Sequence, residues 1–134
     1  MAMSKILIIE DNNLNLELAT DLLEGGGFVV LQARTAEAGL RLAQEDSPDL
    51  VLMDLSLPGM DGLCATRTLK ADPRTCHLTV IALTAHAMKG DQEIALGAGC
   101  DGYLTKPIDT RTFVTDVNGF VAAAKSRKSK SEAA

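Results

Sequence analysis

An uninterrupted apolar run, Leu50-Val51-Leu52-Met53, closes on the lone carboxylate of Asp54. A run of this kind fits a central strand buried on both faces of a sheet. Three more segments share the pattern: Ile6-Leu7-Ile8-Ile9 runs into Glu10-Asp11, Leu78-Thr79-Val80-Ile81-Ala82-Leu83 into Thr84, and Tyr103-Leu104 leads to Lys106. As parallel strands of one sheet, the four would bring their carboxyl ends to a single edge, where open α/β sheets bind their ligands. Three acids, a hydroxyl and an ammonium would converge there.

Between the apolar runs lie amphipathic, capped segments at the spacing of βα units, the pattern of a parallel sheet with helices on both faces. Lys5 to Glu10 reads as the first strand. Leu14, Leu18 and Leu22, with Ala19 and Leu23 beside them, read as the inward stripe of a helix that stops at Gly25-Gly26-Gly27. Phe28 to Leu31 is a short second strand, and Thr35 caps a helix that carries Ala36, Leu40 and Ala43 inward until Ser47-Pro48. Asp49 to Asp54 is the third strand. A loop over Leu57-Pro58-Gly59-Met60-Asp61-Gly62 leads to a third helix from about Asp61 to Ala71, stopped by Asp72-Pro73. The fourth strand is Leu78 to Leu83, and the fourth helix runs from about Ala87 to Leu96, with Gly97 and Gly99 as terminators. The fifth strand is Asp101 to Thr105. Phe113, Val117, Phe120 and Val121 mark the buried face of a last helix, which Asn118-Gly119 weakens. From Lys125 onward the chain is polar and basic and reads as disordered, which sets the expected division: one domain over residues 4–124 and a tail over 125–134.

A length of 134 residues suits one domain. Hydrophobic residues make up 46% but aromatics only 3%, so the core must be aliphatic. The net charge of −5 argues against a nucleic-acid footprint, which needs clustered cations to displace counterions. No apolar run is long enough to span a bilayer and no signal peptide is visible, so the expected compartment is the cytoplasm. Cys64, Cys76 and Cys100 are odd in number and lack a C-x-x-C pair, which points away from a disulfide framework or a zinc site.

At the shared edge, Glu10, Asp11 and Asp54 would repel one another unless a hard dication sat among them. Magnesium is the natural choice, since it prefers oxygen ligands and is usually held by one or two carboxylates together with a phosphate. The plainer alternative is that Glu10 and Asp11 cap the first helix. With a metal present, Asp54 can act as a nucleophile toward phosphorus and form an acyl phosphate. Thr84 is placed to donate its hydroxyl to a phosphoryl oxygen, and Lys106 supplies a cation. A resting ion pair between Asp54 and Lys106 is compatible with either role. A cis bond before Pro107 would turn the lysine into the crevice.

Glu10-Asp11, Leu52-Met53-Asp54-Leu55, Pro58-Gly59-Met60-Asp61-Gly62, Thr84-Ala85 and Lys106-Pro107, in this order, resemble the receiver domain of bacterial two-component response regulators over about residues 4 to 124. The resemblance implies a flavodoxin-like (βα)5 doubly wound α/β fold with sheet order 2-1-3-4-5. It implies that Asp54 is the phosphorylation site, charged by a histidine kinase or a histidine phosphotransfer protein. Asp11, Asp54 and the backbone carbonyl of Ser56 would hold Mg²⁺, with Glu10 assisting through water. Thr84 would move to the phosphoryl group, Lys106 would pair with it, and Tyr103 would rotate inward. The fourth helix, fifth strand and fifth helix would then form the face offered to a downstream protein, through which a homodimer could also form. Ser56 and His86 would tune the lifetime of the phosphorylated state. Asp11-Asn12 and the stretch from Thr84 to Asp91 look similar to single-domain cell-polarity regulators and to receivers fused to hybrid kinases. Such a chain is expected to be no enzyme beyond its own phosphorylation and slow dephosphorylation.

Other readings compete. A receiver can act as a phosphate shuttle to a histidine phosphotransfer protein, or as a scaffold that is never phosphorylated. A phosphatase of the haloacid dehalogenase type also uses a strand-end Asp with Mg²⁺, but it needs a second Asp two residues on, where this chain has Ser56. A flavodoxin-like cofactor carrier would need phosphate donors at the first helix start, where Glu10-Asp11-Asn12-Asn13 would instead repel an anion.

Overall fold

The apolar runs lie side by side in one parallel sheet. A computed structural model describes residues 4–55, 62–84 and 89–133. Its elements are β1 (Lys5–Ile9), α1 (Asn13–Gly25), β2 (Val29–Ala33), α2 (Ala36–Asp46), β3 (Leu50–Asp54), α3 (Gly62–Ala71), β4 (Thr79–Thr84), α4 (Lys89–Gly97), β5 (Gly102–Thr105) and α5 (Phe113–Ala133). The strand order is β2-β1-β3-β4-β5, every pair parallel. This is the doubly wound α/β sandwich that the alternation of runs and caps predicts.

Side chains of a strand alternate between faces, and the core divides accordingly. Leu7, Ile9, Val51, Met53, Val80 and Ala82 pack with Ala36, Ala43, Ala65 and Leu69 of α2 and α3. On the other face Ile6, Ile8, Leu50, Leu52, Ile81 and Leu83 meet Leu16, Ala19 and Leu23 of α1 and Phe113, Val117 and Val121 of α5. β3 and β4 are buried along their whole length. Each fully buried Leu or Ile contributes roughly 1.5–3 kcal/mol, so the centre of the sheet is the part most firmly held.

Two expectations are corrected. The buried face of α1 is Leu16, Ala19 and Leu23 rather than a stripe through Leu14, Leu18 and Leu22. At about 100° per residue, a period of four drifts around the helix, and the leucines surface in turn: Leu22 is half-buried, Leu18 is 39% exposed and Leu14 is 77% exposed. The second strand starts at Val29, because the Phe28 N–H donates to the Leu23 carbonyl at 3.0 Å and so belongs to the turn after α1. That turn runs through Gly27 at φ 93°, a conformation open to glycine. The last helix, α5, runs from Phe113 to Ala133. No Gly or Pro follows Gly119, the alanines and lysines there are strong helix formers, and cations suit the negative end of a helix. Among the described residues no helix is long and apolar enough to cross a membrane.

Gly62 opens α3 against the end of β3. A Cβ there would fall on the carbonyl oxygen of Asp54 and 2.8 Å from the Leu55 Cα, both fixed backbone atoms. Gly119, inside α5, has nothing within 4 Å of such a Cβ. Gly62→Ala is therefore expected to lower stability by about 1–3 kcal/mol, and Gly119→Ala to raise it by about 0.5–1 kcal/mol. Urea midpoints at unchanged slope would show opposite shifts for the two variants.

Candidate functional site

Strand register sets the polar residues at one level. Ile9 pairs with Met53 and Asp54 with Leu83, so Glu10 follows β1 beside Asp54 at the end of β3, and Thr84 stands one residue beyond Leu83. Thr84 pairs with Thr105. The Lys106 N–H then donates to the Thr84 carbonyl at 2.8 Å, which brings the lysine to the same edge. The Lys106-Pro107 bond is cis, as expected from the sequence.

Glu10 and Asp54 are buried, with 1% and 2% of their surface exposed, while Asp11 is exposed. One carboxylate oxygen from each of the three lies within 4.8 Å of the others. Lys106 Nζ donates to the two Glu10 oxygens at 2.8 and 3.1 Å and stands 3.3 Å from Asp54 Oδ1. Asn15 Nδ2 donates to Glu10 Oε1 at 2.8 Å. Burial, with the hydrogen bond to Asp54, pushes the Glu10 carboxyl up to about 7 against the lowering pull of Lys106 and Asn15. Burial also works against the charge of Lys106, but the Glu10 hydrogen bond and the Asp54 charge outweigh it and hold the lysine above its ordinary value. Both shifts have the same sense: one ammonium does not balance the acids around it. A set of carboxylate oxygens short of positive charge is chemically fitted to a hard divalent cation.

The acids do not cap α1, since Asn12 is its N-cap and accepts from the Asn15 N–H at 3.1 Å. Thr84 is buried at the end of β4. Tyr103 is half-buried and packs on the core cluster of the α2 and α3 face. Ser56, His86 and the segments 57–61 and 85–88 lie outside the described residues. Cys100 is buried, Cys64 and Cys76 are exposed, and none belongs to a metal-holding group among the described residues. Two residues of the site are not apparent from motif spacing. Asn15 lies in the first turn of α1, and its contact with Glu10 leaves no mark in the spacing of the motifs. Gly62 opens α3 against the backbone of Asp54 and Leu55, an approach that only the fold shows.

The model of the response regulator receiver domain family matches residues 6–118. The polar-differentiation response regulator DivK of Brucella ovis is 42% identical over 119 residues, covering 89% of this chain and 97% of that protein. Among solved structures, the receiver domain of the sensor histidine kinase PA1611 of Pseudomonas aeruginosa, which has a magnesium ion coordinated in its active-site cleft, aligns with a TM-score of 0.82 at 33% identity, covering 90% of this chain and 99% of that one. A CheY-like receiver domain protein of Methanospirillum hungatei aligns with a TM-score of 0.85 at 25% identity, covering 94% and 99%. These matches favour neither a phosphatase nor a cofactor carrier. Sheet order, strand-end acids and relatives agree that this chain belongs to the response regulator receiver domain family, the phospho-accepting modules of two-component signalling.

Proposed function

We propose that Asp54 is the phosphoryl acceptor and that the acidic cluster around it holds Mg²⁺. The observation that carries this reading is the placement of a buried Asp54 carboxylate beside Glu10 and Asp11 with Lys106 at 3.3 Å. An Asp54 oxygen attacks the phosphorus of a phosphohistidine, the new O–P bond forms as the P–N bond breaks, and the imidazole leaves with its electron pair. Lys106 is already within reach of Asp54 and so faces the negative charge that arrives. Thr84, at the end of the neighbouring strand, supplies the hydroxyl for a phosphoryl oxygen. Glu10, Asp11 and Asp54 would hold the metal together with the Ser56 carbonyl, and the bound ion would neutralise phosphoryl oxygens.

The phosphoryl donor in this reading is a histidine kinase or a histidine phosphotransfer protein in the cytoplasm. The output is a shift of the α4, β5 and α5 face, with Tyr103 as its movable aromatic, and a protein partner reads the favoured state. Ile94 and Leu96, on either side of buried Ala95 in α4, are 53% and 50% exposed and leave apolar side chains on the surface of that helix. Ser56 and His86 set the lifetime of the acyl phosphate. Neutral His86 retards the attacking water sterically, and an unchanged dephosphorylation rate in His86→Ala would remove that role.

Incubation with Mg²⁺ and a small phosphodonor, followed by intact mass, is expected to show one phosphoryl adduct on the wild type and none on Asp54→Asn or after chelation of the metal. No adduct on the wild type, or an equal one on Asp54→Asn, would overturn the assignment. Magnesium alone is expected to raise thermal stability, by about 2.7 kcal/mol at a hundred times its dissociation constant. Asp11→Ala should abolish most of that gain, as read from melting curves with and without the ion.

A further inference from the structure

The geometry points to Asn15 as a positioning residue that holds the Glu10 carboxylate in place for the metal and keeps it hydrogen-bonded when Lys106 turns to the phosphoryl group. The inference rests on the reading of Asp54 as acceptor and adds a residue to which no motif of the site assigns a role.

Glu10 Oε1 receives two donors at the same distance, Lys106 Nζ and Asn15 Nδ2, both at 2.8 Å. They differ in what they can do next. Lys106 also stands 3.3 Å from Asp54 and is the cation that a phosphoryl group on Asp54 would attract. As it shifts, its bonds to Glu10 lengthen, and Glu10 is 1% exposed, so water is poorly placed to replace them. A buried carboxylate that loses its donor carries the full cost of desolvation. Asn15 is neutral and is not drawn to the incoming charge.

Its position is also fixed independently of the site. The Asn15 N–H donates to Oδ1 of Asn12, the N-cap of α1, at 3.1 Å, and Leu16, the next residue, is buried in the core. The Asn15 backbone is therefore pinned on two sides, and its amide aims at Glu10 from a rigid helix turn. A neutral donor adds orientation without adding positive charge, so it leaves the cluster its affinity for a dication while removing the freedom of one carboxylate to rotate. Partners that orient metal-binding groups in this way typically govern affinity by ten- to a hundredfold.

The test is a double-mutant cycle read by Mg²⁺ titration of the unphosphorylated protein and by phosphorylation with a small phosphodonor. Asn15→Leu, close in size and without donors, is expected to weaken Mg²⁺ binding about tenfold or more and to slow phosphoryl uptake. In a Glu10→Ala background the same substitution is expected to change neither by more than about twofold, because a residue that acts through the Glu10 side chain is silent once that side chain and its acceptor oxygens are gone. Melting curves without metal establish that the variants are folded, and Asn15→Ala replaces Asn15→Leu if leucine disrupts the helix turn. Equal Mg²⁺ affinity for the wild type and Asn15→Leu, or the same loss in both backgrounds, would overturn the inference while the wild-type phosphoryl adduct stands. Absence of that adduct on the wild type would instead overturn the reading of the site, and the inference with it.

Discussion

A buried excess of negative charge at the carboxyl edge of the sheet is the constraint on which the rest of this structure turns. Glu10 and Asp54 are almost fully enclosed with carboxylate oxygens no more than 4.8 Å apart, and Lys106 is shared between them. Two full charges at that separation repel by about 3 kcal/mol or more at an effective dielectric of about 20, a sizeable part of the roughly 5–15 kcal/mol that holds a domain folded. The acids persist there because the strands that carry them cannot separate. β1 and β3 are paired on both sides and packed on both faces. The aliphatic core thus serves the site directly, by opposing a repulsion that would otherwise spread the strand ends.

The opposite edge of the sheet shows what balance looks like. Lys70 Nζ donates to the Leu78 carbonyl at 2.7 Å and to Asp101 Oδ2 at 2.8 Å, and the same oxygen accepts the Val80 N–H at 2.8 Å. Asp49 Oδ2 accepts the Lys5 N–H at 2.7 Å. A cavity of about 440 Å³ opens at that edge between Pro48, Lys70, Leu78 and Val121. The acids beside it have donors of their own, and they tie α3 to β4 and β3 to β1. Volume therefore does not mark the functional end of this molecule. The imbalance of charge does, and it falls where the parallel strands deliver their carboxyl ends.

Much of this was legible in the sequence because it depended on local pattern. Continuous apolar runs announced β3 and β4, strand-end polarity announced Glu10, Asp54, Thr84 and Lys106, and Thr35 announced the cap of α2, where its hydroxyl accepts from the Ala38 N–H. What escaped depended on three-dimensional direction. Leu14 and Leu18 read as core because leucine every four residues suggests a stripe, yet which side of α1 faces the sheet is settled by packing against Phe113 and Val117 on α5 and the strands beneath. Asn15 was invisible for the opposite reason: a polar residue in a first helical turn has many uses, and only the fold puts its amide against Glu10.

The same distribution of burial decides which way the site can move. Glu10 directly follows β1 and Asp54 ends β3, both interior strands clamped by neighbours, while Lys106 follows β5, the edge strand, whose residues are half-buried or exposed. Elements with fewer buried contacts open and shift at lower cost. Under the phosphorylation proposed for Asp54, the new charge would meet one rigid side and one yielding side, and displacement would fall on the side that carries Lys106 and Tyr103. Tyr103 pairs with Ala82 in register and leans on the α2 and α3 face of the core, so a shift of β5 alters the support of the aromatic ring as it moves the lysine. Electrostatic stress at one strand end and a surface aromatic three residues earlier are thereby joined through a single short strand, with no further element needed to connect them.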